Sequence, residues 1–169
     1  SDDDGDDSGD VQNILRALLA NKVDVLQDAD IVSYRNNFNK IGRTPYNNRD
    51  PWEIDITLIK NTMFMQIVKT EEDRIRDPKF ERFEYYGYRF EQLCTGGSGA
   101  LDLSAEFVSI SGIRIAENRI LLGSEIDCKD PNVATTHDSL VRQYVELKTM
   151  RRPEEPRHWK STMDQRYLK

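Results

Sequence analysis

Histidine and cysteine are scarce in this sequence, which holds two residues of each type among its 169 residues. Cys94 and Cys128 are too few for a disulfide framework, and neither lies in a C-x-x-C pair, so a zinc site is not predicted. We expect both thiols to be reduced, as in most intracellular proteins. His137 and His158 lie in polar stretches, and neither is assigned a role.

Long apolar segments are also absent. No run of about 18 apolar residues occurs, so neither a membrane span nor a membrane partner is predicted. An excess of negative charge is confined to residues 1–10, which hold six aspartates. The rest of the chain holds 24 acidic and 24 basic residues and is therefore neutral. We interpret residues 1–10 as an acidic disordered tail and residues 11–169 as one domain.

Helical periodicity appears in the first half of the chain. Residues 11–22 and residues 30–41 carry apolar side chains at helical spacing, which predicts two helices. A third helix is predicted over residues 80–94, ending near the glycine pair at residues 96–97. Gly87 inside this helix costs about 1 kcal/mol relative to alanine, which indicates close packing against another element.

Strand patterns dominate the rest. Residues 52–60 and 62–68 predict a β-hairpin with a tight turn. Three further strands are predicted over residues 103–115, 118–127 and 140–150. Helices followed by a strand-rich half predict an α+β or mixed α/β fold.

Four charged residues interrupt the last two predicted strands: Glu125 and Asp127 in GSEIDCKD, and Glu146 and Lys148 in YVELK. Because side chains alternate along a strand, each pair shares a face. If the two strands are neighbours, three carboxylates and one ammonium group converge. The apolar neighbours of these residues predict interior strands, where charge is costly without a use: Leu121, Leu122, Ile126, Val145 and Leu147.

Carboxylates held together resist ionisation unless a cation joins them. Oxygen ligands of this kind suit Mg²⁺ or Mn²⁺, so the pattern favours a divalent metal site. Two ordinary interpretations stay open for the separate pieces. An E-x-D pair on a strand is typical of a solvated face, and an E-x-K pair is typical of a weak surface salt bridge.

Two residues outside these strands are further candidates. Glu91 lies in the third predicted helix, between Phe90 and Leu93, and taken alone it reads as a boundary charge. Arg35 has a guanidinium group suited to phosphate, although a surface arginine is the ordinary interpretation. Three tyrosines of the same helix could stack on bases, but their helical spacing favours packing: Tyr85, Tyr86 and Tyr88.

Taken together, these motifs resemble the DXO decapping exoribonuclease family, whose fungal members are Rai-type partners of the nuclear 5′-3′ exoribonuclease. The matching stretches occur in the family's order from about Val23 to Thr149: VSYR, TPY, GYRFEQLC, GSEIDCKDP and YVELKT. The resemblance implies a PD-(D/E)XK-like central mixed β-sheet flanked by helices, with residues 11–169 as a partial catalytic-type domain.

The resemblance also implies roles for individual residues. Four carboxylates and one backbone carbonyl would surround a divalent metal, Mg²⁺ or Mn²⁺: those of Glu91, Glu125, Asp127 and Glu146, and that of Leu147. The catalytic set would be Glu91, Asp127, Glu146 and Lys148. Arg35, Glu91 and Lys148 would contact the substrate, with Arg35 on its phosphate.

The implied activity is metal-dependent hydrolysis at RNA 5′ ends. Family members remove pyrophosphate or release incomplete and unconventional caps, and some digest RNA in the 5′-3′ direction. A nuclear 5′-3′ exoribonuclease is the implied protein partner, and the nucleus is the implied location, with cytoplasmic presence left open.

The family's pattern continues beyond the matched stretches with a helix bearing a tryptophan and an active-site glutamine, and it has more sequence in front. We therefore expect the chain to be truncated at both ends. Two alternatives to RNA 5′-end hydrolysis stay open. The first is a non-catalytic protein that binds and stabilises an exoribonuclease, and the second is a DNA endonuclease of the wider PD-(D/E)XK group.

Overall fold

The computed structural model describes residues 9–47, 51–69, 78–101, 107–133, 141–150 and 159–160. Within them, five strands form one mixed sheet and two short strands form a second sheet. The strands are β1 (Ile31–Tyr34), β2 (Glu53–Ile59), β3 (Thr62–Val68), β4 (Val108–Ile115), β5 (Asn118–Glu125), β6 (Cys128–Lys129) and β7 (Tyr144–Val145). The helices are α1 (Val11–Ala20), α2 (Val25–Asp28), α3 (Arg35–Arg43) and α4 (Pro78–Cys94), with 3₁₀ turns at Thr44–Tyr46 and Val141–Gln143.

The large sheet has the order β2-β3-β1-β5-β4. Central strand β1 runs parallel to both β3 and β5, whereas β2 and β4 pair antiparallel to their neighbours at the two edges. This arrangement confirms the predicted mixed sheet flanked by helices.

Helices α1 and α3 pack on opposite faces of the sheet. Val32 and Tyr34 of β1 join Ile14 of α1 in the main hydrophobic core. Ser33, which alternates with them, points to the other face and accepts a hydrogen bond from Asn37 Nδ2 of α3 at 3.0 Å. Both polar side chains are buried, so this hydrogen bond fixes α3 against the sheet.

The predicted helix over residues 11–22 is confirmed by α1. Asp10, at the boundary assigned to the acidic tail, is its N-cap and accepts a hydrogen bond from Gln12 N at 2.8 Å. Residues 1–8 of that tail lie outside the described residues. Gln66 of β3 holds the same end of the helix, because its Oε1 accepts a hydrogen bond from Val11 N at 2.6 Å.

The helix predicted over residues 30–41 is wrong in its first part. Ile31–Tyr34 form the central strand, and the helix begins at Arg35. Partner strands on both sides satisfy the backbone of this segment, and its β-branched Ile31 and Val32 suit a strand. Tertiary pairing therefore overrides the local helical pattern.

The predicted hairpin is confirmed, and the first two of the three further predicted strands also pair with each other. Strands β2 and β3 pair in register from Glu53↔Val68 to Ile59↔Thr62, and β4 and β5 pair from Val108↔Glu125 to Ile115↔Asn118. Each tight turn uses a non-glycine residue at positive φ, Lys60 at 54° and Ala116 at 51°.

Helix α4 confirms the third predicted helix. It ends where Gly96 adopts a φ of +78° and Gly97 N donates to Gln92 O at 2.8 Å. The close packing predicted at Gly87 is wrong, since a Cβ there would meet no atom of the described residues within 4 Å. The packed aromatic stripe is also not observed, because these side chains are exposed: Phe83, Tyr85, Tyr86, Tyr88, Phe90 and Leu93.

The last two predicted strands are shorter than expected. Strand β5 ends at Glu125, and residues 126–127 separate it from β6, which pairs antiparallel with β7 in the small sheet. The E-x-K segment therefore neighbours β6 rather than β5. Glu125, Glu146 and Lys148 are exposed, so the prediction of charges on interior strands is wrong.

Several predictions fall on residues that the structure does not describe. The polar stretches with His137 and His158 lie outside the described ranges. None of the described helices is both apolar enough and long enough to cross a membrane.

Candidate active site

The candidate residues gather at one edge of the large sheet. Strands β1 and β5 are parallel, with Tyr34 opposite Gly123, so their carboxyl ends reach the same edge. Arg35 directly follows β1, and Glu125 is the last residue of β5. Crevices outside the carboxyl ends of strands are common ligand sites in sheets with parallel strands.

The small sheet brings Asp127 opposite Glu146. Ile126 N donates to Phe107 O at 3.0 Å, after which β6 pairs with β7 through Cys128↔Val145. Continuing this antiparallel register by one residue places Asp127 across from Glu146. Leu147 N donates to Asp127 Oδ2 at 2.5 Å and fixes this arrangement.

Lys148 and Glu146 form an ion pair, and both side chains are about half exposed. The hydrogen bond to Glu146 raises the pKa of Lys148, and the negative charges of Asp127 and Glu91 add to this shift. The charges of Glu146, Asp127 and Glu91 therefore all stabilise the ammonium group, which stays protonated at neutral pH.

Glu91 of α4 belongs to the same cluster. Partial burial raises its pKa, and so do the charges of Asp127, Glu125 and, to a smaller extent, Glu146. Burial likewise raises the pKa of Glu125, with further contributions from Asp127 and Glu146. The four carboxylates named as candidates thus lie within electrostatic range of one another.

The chemistry of this donor set fits a divalent cation. Raised carboxyl pKa values indicate that negative charge is incompletely compensated, and hard oxygen donors are those that Mg²⁺ and Mn²⁺ prefer. Among the described residues, however, no three acidic, histidine or cysteine side chains are already arranged to hold a metal ion. The metal-ligand roles of these residues, including the Leu147 carbonyl, stay predictions.

Arg35 lies at the same edge of the sheet as Glu125, but it forms no ion pair with the residues of the acidic cluster. Its side chain is exposed and makes no hydrogen bond or ion pair with any described residue. It is the first residue of α3, so the chain direction set by β1 carries it to the edge where β5 ends. A role on substrate phosphate stays a prediction.

Sequence reasoning missed an aromatic–cation cluster beside the acids. Lys129 Nζ lies 4.5 Å from the ring centroid of Phe107 and 5.9 Å from that of Tyr144. Counting every second residue from Glu125 gives Asp127 and then Lys129. Counting every second residue back from Lys148 gives Glu146 and then Tyr144. This signal is present in the sequence, but only the β6–β7 register joins its two halves.

Comparison with known proteins finds relatives of this chain. A bovine (Bos taurus) decapping and exoribonuclease protein is 30% identical over 151 residues, which cover 82% of this chain and 38% of that protein. The human (Homo sapiens) protein of the same description is 29% identical with the same coverage. The structure of Candida albicans Rai1 in complex with pU5-Mn²⁺ superposes with a TM-score of 0.66 at 21% identity, covering 92% of this chain and 47% of that chain.

This chain spans less than half the length of the relatives to which it is compared. The sequence model of a family described as RAI1 like PD-(D/E)XK nuclease matches residues 1–169, the whole of the chain. The protein therefore belongs to the family of RAI1-like PD-(D/E)XK nucleases.

Proposed function

We propose that this chain carries the acidic core of a divalent-metal-dependent hydrolase that acts on RNA 5′ ends. The observation that supports it is the convergence of Glu91, Glu125, Asp127, Glu146 and Lys148 at the carboxyl edge of the sheet. Bovine and human relatives are described as decapping and exoribonuclease proteins, and the Candida albicans relative is described with pU5 and Mn²⁺.

The four carboxylates, together with the Leu147 carbonyl, are the groups that would hold the metal. When bound, Mg²⁺ or Mn²⁺ supplies Lewis-acid activation of water and neutralises charge on phosphoryl oxygens. The substrates of the proposed reaction are 5′-triphosphate and incompletely or unconventionally capped RNA. Digestion of the RNA in the 5′-3′ direction and action in the nucleus are further parts of the proposal.

Lys148 contributes positive charge beside the scissile phosphate. Its ion pair with Glu146 keeps the ammonium group protonated and restricts its position. Removing one such preorganised group typically costs about 2.7–4 kcal/mol of activation free energy, or roughly 10²–10³ in kcat. Arg35 and Glu91 are the other residues proposed to contact the substrate, with Arg35 on a phosphate. The position of Arg35 directly after β1, at the same end of the sheet as Glu125, supports this proposal.

The decisive experiment measures Mn²⁺ binding and turnover separately. We expect Mn²⁺ to raise the melting temperature of the parent, because ligand binding at 100 times Kd adds about 2.7 kcal/mol to stability. Asp127→Ala should abolish this rise and the release of pyrophosphate from 5′-triphosphate RNA. Asp24→Ala, at an exposed site before α2, is the matched control. Hydrolysis by Asp127→Ala at the parent rate would refute the assignment.

A second candidate function is a non-catalytic protein that binds a nuclear 5′-3′ exoribonuclease. Two observations favour it: the absence of a ready metal-binding arrangement among the described residues, and the exposed apolar side chains of α4. A parent chain that shows no thermal response to Mn²⁺ but co-elutes with the exoribonuclease would support this function over the first. Turnover of RNA with a free 5′ end but not of circular DNA separates the proposal from a DNA endonuclease.

A further inference from the structure

Lys129 lies against two aromatic rings that face each other at an angle. Its Nζ is 4.5 Å from the Phe107 centroid, and the Phe107 and Tyr144 rings meet edge to face with centroids 6.3 Å apart. Both distances from Nζ to the rings fall within the range of cation–π attraction. The rings therefore restrict the ammonium group without neutralising its charge.

The alternation of the β6–β7 register, continued to residues 127 and 146, brings this cluster to the same side as Asp127 and Glu146. Lys129 is paired with Tyr144, and the next alternating pair in the register is Asp127 with Glu146. Two residues of strand separate the pairs by roughly 6.5 Å. Lys129 therefore lies two residues along the β6–β7 pair from the proposed catalytic carboxylates.

The charge of Lys129 is available to a ligand. Among the described residues it forms no ion pair with a carboxylate, in contrast to Lys148, which is paired with Glu146. The Lys129 side chain is exposed, and Phe107 is 48% exposed. A fixed, accessible ammonium group on aromatic walls suits a phosphate, and the open ring of Phe107 suits a nucleobase.

Positive charge beside the acidic cluster favours the proposed substrate. RNA phosphates are repelled by Glu125, Asp127 and Glu146, so a strand can lie along the ribbon only where positive charge offsets the repulsion. Lys148 offsets it at the scissile position, and Lys129 is placed to offset it at a neighbouring nucleotide.

We propose that Phe107, Lys129 and Tyr144 form a nucleotide subsite for single-stranded RNA. In this subsite Lys129 binds the backbone phosphate next to the phosphate that is cleaved. This inference rests on the proposed function and extends it to substrate positioning. Lys129 is a binding residue in this scheme, and the two rings hold it in place.

The test is the salt dependence of RNA binding, measured without metal so that turnover does not enter. Fluorescence anisotropy with a 5′-phosphorylated oligouridylate gives Kd over a series of NaCl concentrations. Lys129→Met keeps the apolar stem on the rings and removes the charge. We expect it to weaken binding and to reduce the slope of log K against log salt by about 0.7, the value for one phosphate contact to a single strand.

Two further variants make the result specific. Lys129→Arg keeps the positive charge and should retain the parent slope. Lys60→Met removes an exposed lysine at the β2–β3 turn, at the opposite edge of the sheet, and should also leave the slope unchanged. A slope unchanged in Lys129→Met, or a parent that fails to bind the oligouridylate at low salt, would overturn the subsite.

Failure of the subsite and failure of the proposed function give different results. If the parent releases pyrophosphate from 5′-triphosphate RNA with Mn²⁺ while Lys129→Met keeps the parent slope, only the subsite is wrong. If Lys129→Met lowers the slope but the parent hydrolyses no RNA end, the subsite stands and the hydrolase assignment fails.

Discussion

Gly123 is a point of close contact between α1 and the sheet, and replacing it with alanine tests the packing that positions Glu125. A Cβ at residue 123 would lie 2.7 Å from Cδ1 and 3.0 Å from Cγ1 of Ile14, and 3.2 Å from Cε1 of Tyr34. Ile14 is 1% exposed and Tyr34 8% exposed, so neither side chain has open space into which to move. The new methyl group must therefore shift α1 or β5.

The expected cost follows from two opposing effects. Overpacking of a buried site costs about 1–3 kcal/mol. Replacing glycine by alanine in a strand recovers about 0.5–1 kcal/mol of backbone entropy. We expect a net loss of about 1–2 kcal/mol, which corresponds to a fall in melting temperature of roughly 2–8 °C for a chain of this size.

Thermal unfolding of Gly123→Ala and Gly112→Ala measures this loss against a matched control. Gly112 lies in β4 of the same sheet, but a Cβ there would meet only Leu121 Cδ2, at an ordinary 3.8 Å. Gly112→Ala should be neutral or slightly stabilising. Equal melting temperatures for the two variants would refute the claim that α1 packs tightly on β5 at residue 123.

Three other perturbations have expected results. Asp30 accepts hydrogen bonds from Arg119 Nε and Nη2, and this pairing lowers the pKa of Asp30 to about 2. Asp30→Asn should therefore lower the urea midpoint at pH 7, and the loss should shrink as the pH falls from 4 to 2. The pKa of Glu125 is raised, so its ionisation opposes folding; Glu125→Gln should raise the melting temperature more at pH 7 than at pH 4. Asp10→Ala removes the N-cap of α1 and should cost about 1 kcal/mol in a thermal melt.

Asp24 provides the control for both aspartate predictions. It precedes α2, is exposed and makes no side-chain capping hydrogen bond. Asp24→Asn and Asp24→Ala should therefore leave stability nearly unchanged. A pH-independent loss in Asp30→Asn would contradict the ion-pair explanation. Equal stability of Asp10→Ala and Asp24→Ala would contradict the capping role, and a gain for Glu125→Gln that is larger at pH 4 would contradict the proposed repulsion.

The elements that sequence could predict are those set by neighbouring residues. The apolar spacing of α1 and the alternation of the β2–β3 and β4–β5 hairpins are local signals, and the structure confirms all three. Strand β1 escaped prediction because its four residues sit next to a true helix and are defined by partners far along the chain. Met63 and Ile120, which flank Ile31, could not be inferred from the sequence around residue 31.

The sequence could predict which charged residues form the candidate site, but not the contacts that position them. The E-x-D and E-x-K patterns identified the charges, and the two patterns are joined electrostatically. Burial and the charges of Asp127 and Glu146 raise the pKa of Glu125, and Glu146 and Asp127 also raise the pKa of Lys148. The break after Glu125 could not be predicted, because it depends on two long-range hydrogen bonds. One joins Ile126 N to Phe107 O, and the other joins Leu147 N to Asp127.

That break makes the four carboxylates unequal. Glu146 is compensated by the Lys148 ammonium group, and Asp127 by the Leu147 N–H. Glu91 and Glu125 receive no such hydrogen bond from the described residues, and burial and the neighbouring carboxylates raise the pKa of each. In the proposed hydrolase, a divalent cation would therefore relieve electrostatic repulsion at Glu91 and Glu125, whereas Glu146 already has the Lys148 ammonium group as a partner and Asp127 already accepts the Leu147 N–H.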